Sequence, residues 1–162
     1  MRFAVYDNEG PAKDWPLVNA HLVGPDDLPA RGDVTFGDGH VDCRKKGAQA
    51  VGLCLLYDAG SMGMLMLQTC LLPERDEAYI LSVELARHRI KMFIAKSEEW
   101  QMFDLSAEHP AMKLWEQARG LLTDALTSDD PVKADRFAKR SLHHAVEATE
   151  RLAMAHAEIL LH

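Results

Sequence analysis

Three residues near the end of the chain, His143, Glu147 and Glu150, have the types and the spacing of metal ligands. In a helix they share one face, at positions i, i+4 and i+7, and metal sites in helical bundles use glutamate and histidine in this way. The di-iron pattern needs Glu-x-x-His on two helices, but neither glutamate here has a histidine three residues later. We therefore interpret these side chains as a solvated helix face or as local pairs, and Glu84 and His88, four residues apart, in the same way. We predict no metal site and no cofactor.

The cysteines and the remaining motifs do not identify a catalytic site either. Cys43, Cys54 and Cys70 are odd in number and far apart, so we expect buried free thiols in a reducing compartment. His156 falls in an apolar helical stripe, where an interior histidine with satisfied hydrogen bonds is more usual than a metal ligand. The chain has no nucleophile elbow, phosphate-binding loop or dinucleotide fingerprint. The sequence therefore nominates no catalytic residue, and enzyme activity of this chain stays an open question.

Trp15, in the segment KDWPL, is the one candidate ligand-binding residue in the first half of the chain. A tryptophan exposed on a loop can stack on a sugar ring. The alternative is that the indole closes one end of the hydrophobic core, because large aromatic side chains bury much apolar surface. The sequence leaves both roles open and favours the second.

Composition limits the class of protein. The 162 residues are 48% hydrophobic and 27% charged, as in an ordinary globular domain, and their formal net charge is −7. An acidic chain lacks the basic surface that nucleic-acid binding requires, so we predict no nucleic-acid partner. The N-terminus has no apolar core of signal-peptide length, and no apolar run approaches the roughly 20 residues of a membrane helix. We expect a cytoplasmic protein with no membrane partner.

Short apolar segments separated by glycine- and proline-rich loops predict β structure in the first part of the chain. Asp38 and Gly39 lie between two alternating runs and predict a hairpin turn. Residues 50–57 and 64–71 predict an antiparallel pair of strands. Both segments are apolar on both faces, so we expect their sheet to be covered twice, by a second sheet and by helices.

From Pro73 onward the apolar period changes from two residues to about 3.6, which predicts three helices. The first is expected over residues 76–103, and the second from residue 107 or 110 to 127. The third is expected to start with Asp130 as N-cap and Pro131 as its first residue, and to end near residue 161.

The predicted fold class is α+β: a small antiparallel β-sandwich followed by three helices, of which the last two form a long hairpin. We divide the chain into a β-sandwich-like module, residues 1–72, and a helical region packed on the sheet, residues 73–162, in a single compact unit. The last helix is rich in alanine, and such small residues permit close approach of a neighbouring helix.

The segment from residue 63 to 100, GMLMLQTCLLPERDEAYILSVELARHRIKMFIAKSEEW, resembles part of a known family. It is similar to the N-terminal accessory region of planctomycete-type proteins assigned to glycoside hydrolase family 10, the xylanase family. Their patterns are a strand like LMLST, then L-x-ER, VELAR and a later EW. The matching residues here are Leu65–Thr69, Leu72, Glu74, Arg75, Val83–Arg87, Glu99 and Trp100.

The resemblance implies a β-sandwich module that leads through a helical connector into a TIM-barrel hydrolase domain. The catalytic glutamates of that family lie in the barrel. The present sequence stops at His162, about where the barrel would begin, so no residue here inherits a catalytic role.

Four charged residues of the same segment, Glu74, Arg75, Glu84 and Arg87, predict an ion-pair network at the junction of strand and helix. Arginine pairs with carboxylates in a bidentate manner, so the network would fix the helix on the outer face of the sheet. The alternative is a solvated helix start, because exposed pairs are worth only about 0–1 kcal/mol.

The expected function is therefore that of a non-catalytic accessory domain of a glycoside hydrolase family 10-like protein. It would position the catalytic barrel or bind polysaccharide weakly. The expected partners are a polysaccharide and a C-terminal catalytic domain. The alternative is a stand-alone protein-interaction or oligomerisation module with no carbohydrate role, in which the helical hairpin forms a homo-oligomer.

Overall fold

The computed structural model describes all 162 residues and contains eight strands and three helices. The strands are β1 (Arg2–Ala4), β2 (Val18–Val23), β3 (Pro29–Ala30), β4 (Gly32–Gly37), β5 (His40–Lys45), β6 (Gly52–Asp58), β7 (Met64–Gln68) and β8 (Tyr79–Ile80). The helices are α1 (Leu81–Glu99), α2 (Pro110–Thr127) and α3 (Pro131–Leu160). This arrangement confirms the predicted α+β class.

The strands form two four-stranded sheets, with the orders β4-β5-β1-β8 and β3-β2-β6-β7. All pairings are antiparallel except the parallel pairing of β1 with β8. A common hydrophobic core includes Phe3 and Val41 from the first sheet and Leu22, Leu53 and Leu55 from the second. The two sheets therefore share one apolar interior.

The hairpin predicted at Asp38 and Gly39 is confirmed. These residues connect β4 to β5, with Gly37 opposite His40. The φ angles of Asp38 and Gly39 are 50° and 74°, so both residues lie in the left-handed region that a two-residue type I′ turn requires. Asparagine, aspartate and glycine tolerate this region best, which explains the choice of residues.

The double cover predicted for the second sheet is confirmed for β6 and wrong for β7. Leu53 and Cys54 point to opposite faces of β6, and both are buried. In β7, by contrast, Met64 is 50% exposed and Met66 is 48% exposed. β7 is an edge strand, so one of its faces has no full cover even though its first four residues are apolar.

Helix α1 begins five residues later than predicted because Tyr79 and Ile80 pair with β1 as a short parallel strand. The Ile80 N-cap has no capping side-chain hydrogen bond, so no local signal marks this start. The helix also ends earlier than predicted, at Glu99. Gln101 has a φ of 54°, which a right-handed helix cannot contain.

The helical hairpin is confirmed, with α2 and α3 antiparallel and closely packed. Asp130 caps α3 as predicted, since its carboxylate accepts a hydrogen bond from the Val132 amide at 3.0 Å. Ser141 of α3 donates a 2.7 Å hydrogen bond to the Ala118 carbonyl of α2, which requires the two backbones to lie close together. The apolar stripe that contains His156 is not buried to the end of α3, because Ile159 is 62% exposed.

The helices and the sheets share the largest hydrophobic core. Leu81 and Leu85 of α1 and Leu142 and Val146 of α3 belong to the same core cluster as the sheet residues. A second, smaller cluster around Phe93 holds the far ends of the helices together. No helix combines the length and the apolar composition that crossing a membrane would require.

Candidate functional site

A cleft lies between the end of β6, the turn that follows it and the middle of α3. Its volume is about 460 Å³. The lining residues from the β half and the adjoining loops are Asn8, Tyr57, Asp58, Ala59, Gly60 and Met62. Those from α3 are Lys139, Leu142, His143 and Val146. The cleft is thus built jointly by the sandwich and the last helix.

The charged groups of the cleft are held in place by hydrogen bonds. The Lys139 ammonium group lies 2.7 Å from Oδ2 of Asp135 and donates to the Tyr6 carbonyl at 2.8 Å. Asp135 is itself buried and accepts a 2.7 Å hydrogen bond from the Ser82 hydroxyl of α1. Burial raises the pKa of Tyr57, with a further contribution from Asp135, so this phenol stays protonated.

His143 lies at the edge of the cleft, where its Nε2 atom is 3.2 Å from the Ser61 hydroxyl oxygen. His144 and Glu147 lie beside it on α3. One ligand atom from each of the three residues lies within 4.8 Å of the other two. Glu150, which the sequence grouped with His143 and Glu147, does not join this cluster.

His144 is the least satisfied member of this cluster. Its Nδ1 atom is buried and has no hydrogen-bond partner. Burial lowers the pKa of His144, and the neighbouring His143 lowers it further. Both effects favour the neutral imidazole, which is the form that binds metal ions and accepts protons. The sequence signal for the cluster is two adjacent histidines with a glutamate three residues after the second.

Trp15 packs at one end of the sandwich. Its ring centroid is 5.8 Å from that of Phe36 and 6.3 Å from that of Tyr57, and the residue is half-buried. These are the contacts of a side chain that closes one end of the core. Stacking on a sugar stays a prediction for the exposed part of the indole. Because Tyr57 also lines the cleft, Trp15 supports one of its walls.

The four charged residues of the strand–helix junction do not form one connected network. Glu84 is 5% exposed and accepts a 3.2 Å hydrogen bond from Nε of Arg87. Arg75 lies over the Tyr79 ring at 3.6 Å and donates to backbone carbonyls. Glu74 pairs with the N-terminal ammonium group. Of the predicted pairs, the structure forms only Glu84 with Arg87.

Burial is the main influence on the ionisation of Glu84 at this junction. It raises the pKa of Glu84, while Arg87 and Arg75 oppose the rise. Charge on Glu84 is therefore costly, and Arg87 is the group that lowers the cost. This pair differs from the other i,i+3 pairs of the chain, whose carboxylates are more than half exposed.

A second polar groove, of about 440 Å³, lies between β7 and α1. Gln68 donates a 2.7 Å hydrogen bond to Asp27, and its Nε2 atom lies 3.2 Å from Nε2 of His88. Neither role predicted for Glu84 and His88 fits Glu84: it is buried rather than solvated, and its partner is Arg87 rather than His88. Burial lowers the pKa of His88, and Asp27 partly opposes the shift.

The cysteines are free, as predicted, and Cys43 and Cys54 are buried, but Cys70 is only partly buried. Burial raises the pKa of Cys43 to about 12 and also raises those of Cys54 and Cys70. Reactive thiols have lowered pKa values, so none of the three has the environment of a nucleophile. His156 stacks on Trp100, with ring centroids 4.7 Å apart, and therefore packs against an aromatic ring rather than among metal ligands.

Comparison with protein-family models, with curated proteins and with solved structures finds no match in any of the three.

Proposed function

We propose that this chain is a non-catalytic accessory module of a larger protein similar to glycoside hydrolase family 10, and that it positions a catalytic barrel. The observation that carries the proposal is the location of the residues that resemble that family. They lie in β7, in the connection to β8 and at the start and the end of α1. This is the segment that joins the sandwich to the helices.

Within this segment, three of the shared residues are buried at the point where the sandwich leads into the helices. Leu67 and Leu72 are buried in the common core. Thr69 is 1% exposed, accepts a 3.1 Å hydrogen bond from the Leu53 amide and donates to the Cys70 carbonyl at 2.8 Å. A residue pattern of this kind supports a rigid connection, which is the property that a positioning module needs.

The end of α3 offers a surface for the next domain. Ile159, Leu160 and Leu161 are 62%, 73% and 83% exposed, although all three are large and apolar. Phe103 is 70% exposed and lies three residues after Trp100. Because the Trp100 ring stacks on His156 near the end of α3, Phe103 is at the same end of the helices. In the proposed protein the barrel follows α3 and covers these side chains.

The first test is the intact mass of the native product in the source cell, detected with an antibody raised against this chain. The proposal expects a product longer by the roughly 250 residues of a TIM barrel. A native product that ends close to residue 162 would refute it.

The docking of the barrel has its own test in the longer protein. Leu160→Glu combined with Leu161→Glu should expose the connection between module and barrel and speed its cleavage by a protease. Ala157→Glu is the matched control, because Ala157 is exposed on the same helix but has no large apolar side chain. Equal cleavage rates for both variants and the unchanged protein would show that the tip of α3 is not covered.

Weak polysaccharide binding is the second part of the same proposal, and Trp15 is its candidate residue. Migration in a native gel that contains xylan measures it. Trp15→Phe keeps an aromatic face and should keep the retardation, whereas Trp15→Leu keeps apolar packing and should lose it. Equal migration of all three proteins with and without xylan would remove the carbohydrate role.

Homo-oligomerisation is the competing function, and the exposed tip of α3 is the observation in its favour. The alanine-rich face of α3 is occupied within the chain, since Ala138 and Ala145 are fully buried. The most exposed large apolar side chains of the hairpin are Leu160 and Leu161, at the tip of α3. Light scattering on the purified chain separates the two functions: a dimer that Leu160→Glu dissociates supports oligomerisation, and a monomer rules it out.

A further inference from the structure

We propose that His143, His144 and Glu147 bind one divalent transition-metal ion, of the zinc and nickel class, at the edge of the cleft. The site goes beyond the positioning role proposed above and does not depend on it. Two imidazoles and one carboxylate form a donor set that proteins use for zinc with a fourth position left open. Imidazole also suits nickel and copper, so the donor set selects a class of metal rather than a single element.

The helix brings the three side chains to one place. Positions i, i+1 and i+4 put Glu147 one turn beyond the histidines and between their two directions around the helix axis. Their ligand atoms lie within 4.8 Å of one another. Ligands about 2.0–2.2 Å from a tetrahedral zinc ion lie about 3.3–3.6 Å from each other. Side-chain rotations that move atoms by about 1 Å are therefore sufficient to close the site.

The backbone beneath the site is fixed, so binding does not have to order it. The helix residues next to the ligands are buried in the interior and at most 1% exposed: Ala145, Val146 and Ala148. Ser61 lies 3.2 Å from His143 Nε2 and holds that ring in orientation, which leaves the other nitrogen free for an ion. Groups that orient a ligand ring in this way are typical of metal sites.

Two further observations favour an ion over a purely structural cluster. The Nδ1 atom of His144 is buried without a partner, and such atoms are uncommon in folded proteins. The only group that competes for Glu147 is Arg151, whose Nη2 atom is 3.7 Å from Oε1 and whose side chain is 50% exposed. A long and exposed ion pair of this kind is worth about 0–1 kcal/mol and gives way to a metal ion.

The open coordination position would face the cleft. His143 is both a proposed ligand and a lining residue of that cleft, together with Asp58 and Lys139. A small anion or a water molecule on the ion would therefore lie near a fixed ammonium group.

Titration calorimetry on the chain without an affinity tag tests the site, with zinc chloride and nickel chloride as separate probes. The expected result is one ion per chain, bound at micromolar concentration or tighter. Cobalt chloride is a third probe, because the intensity of its visible absorption reports a four-coordinate site.

His143→Gln and Glu147→Gln should each weaken binding about tenfold or more, as loss of a ligand or of its support does in known sites. His21→Gln is the matched control, since His21 is exposed on β2 and outside the cluster, and it should bind as the unchanged chain does. Circular dichroism checks that every variant is folded. Binding only at millimolar concentration, or binding that the first two substitutions leave unchanged, would overturn the proposal.

Discussion

Replacing Arg87 with alanine removes the cation that faces the buried carboxylate of Glu84. The pair is 3.2 Å long, and the Glu84 side chain is 7% exposed whereas that of Arg87 is 43% exposed. The carboxylate then has to stay charged without its partner or take up a proton. We expect the free energy of unfolding to fall because either outcome disfavours the folded state.

The size of the loss has an upper limit, because Glu84 can be protonated. At pH 7, protonating a carboxyl whose ordinary pKa is 4.5 costs about 3.4 kcal/mol, at about 1.36 kcal/mol per pH unit. Removing one partner of a fully buried pair costs about 3–5 kcal/mol, but Arg87 is half-exposed and Arg75 still stabilises the charge. We therefore expect a loss of about 2 kcal/mol, or about 4–8 °C in melting temperature for a chain of this size.

The loss should depend on pH. The folded-state pKa of Glu84 lies above its ordinary value, so its contribution to stability is greatest below pH 4.5 and is lost as pH rises through the folded pKa. Removing Arg87 raises that pKa further and steepens the loss. At pH 5 protonation costs only about 0.7 kcal/mol, so the difference between Arg87→Ala and the unchanged protein should nearly vanish there.

Urea unfolding of both proteins at pH 5 and pH 7 measures this difference. Arg119→Ala is the matched control, since Arg119 also pairs with a glutamate three residues earlier, but both side chains are more than half exposed. Arg119→Ala should lower the free energy of unfolding by less than about 0.5 kcal/mol at either pH. Glu84→Gln added to Arg87→Ala should restore most of the stability at pH 7. A loss of equal size at both pH values would refute the electrostatic argument and assign the effect to packing of the arginine stem.

Two further substitutions test contacts that cross between elements. Asp135→Ala should lower the free energy of unfolding by about 2–4 kcal/mol in urea unfolding. It leaves the Ser82 hydroxyl buried without an acceptor and Lys139 without its carboxylate. Asp135→Asn is the control and should lose less stability, because an amide oxygen still accepts from Ser82. Thr69→Val should cost about 1–2 kcal/mol in the same assay, because the buried Leu53 amide loses its acceptor at nearly constant volume; a melting temperature unchanged by Thr69→Val would show that this hydrogen bond does not fix the junction.

The start of a helix could be predicted from the sequence where a local capping residue marks it. The start of α3 could be predicted because Asp130 and Pro131 are a cap and a first-turn residue whose preferences are intrinsic to the local chain. The start of α1 could not, because Ile80 provides no cap and the preceding residues pair with β1, which is more than seventy residues away. Sequence pattern carries no information about such a pairing.

The prediction of which strand faces are buried had the same limit, because burial also depends on residues far away in the sequence. The apolar pattern correctly predicted that both faces of β6 are covered, but it assigned the same status to β7, where Met64 and Met66 are exposed. Whether a strand lies at the edge of its sheet depends on the order of all the strands, which is a property of the whole fold. At the candidate site, helical spacing correctly placed His143 and Glu147 on one face, but it chose Glu150 in place of His144.

The family resemblance and the candidate chemistry occupy different parts of the molecule. The residues similar to family 10 proteins lie at the junction of β7 and α1, and the pair of Glu84 with Arg87 belongs to that junction. The proposed metal site lies near the middle of α3, about 24 Å along the helix from its exposed tip at a rise of about 1.5 Å per residue. A positioning role needs the junction and the tip but not the ion. Metal binding needs the cluster and the turn at Ser61 but no further domain. The two proposals therefore fail separately: loss of barrel docking on substitution of Leu160 should leave metal affinity unchanged, and Glu147→Gln should leave the protease sensitivity of the longer protein unchanged.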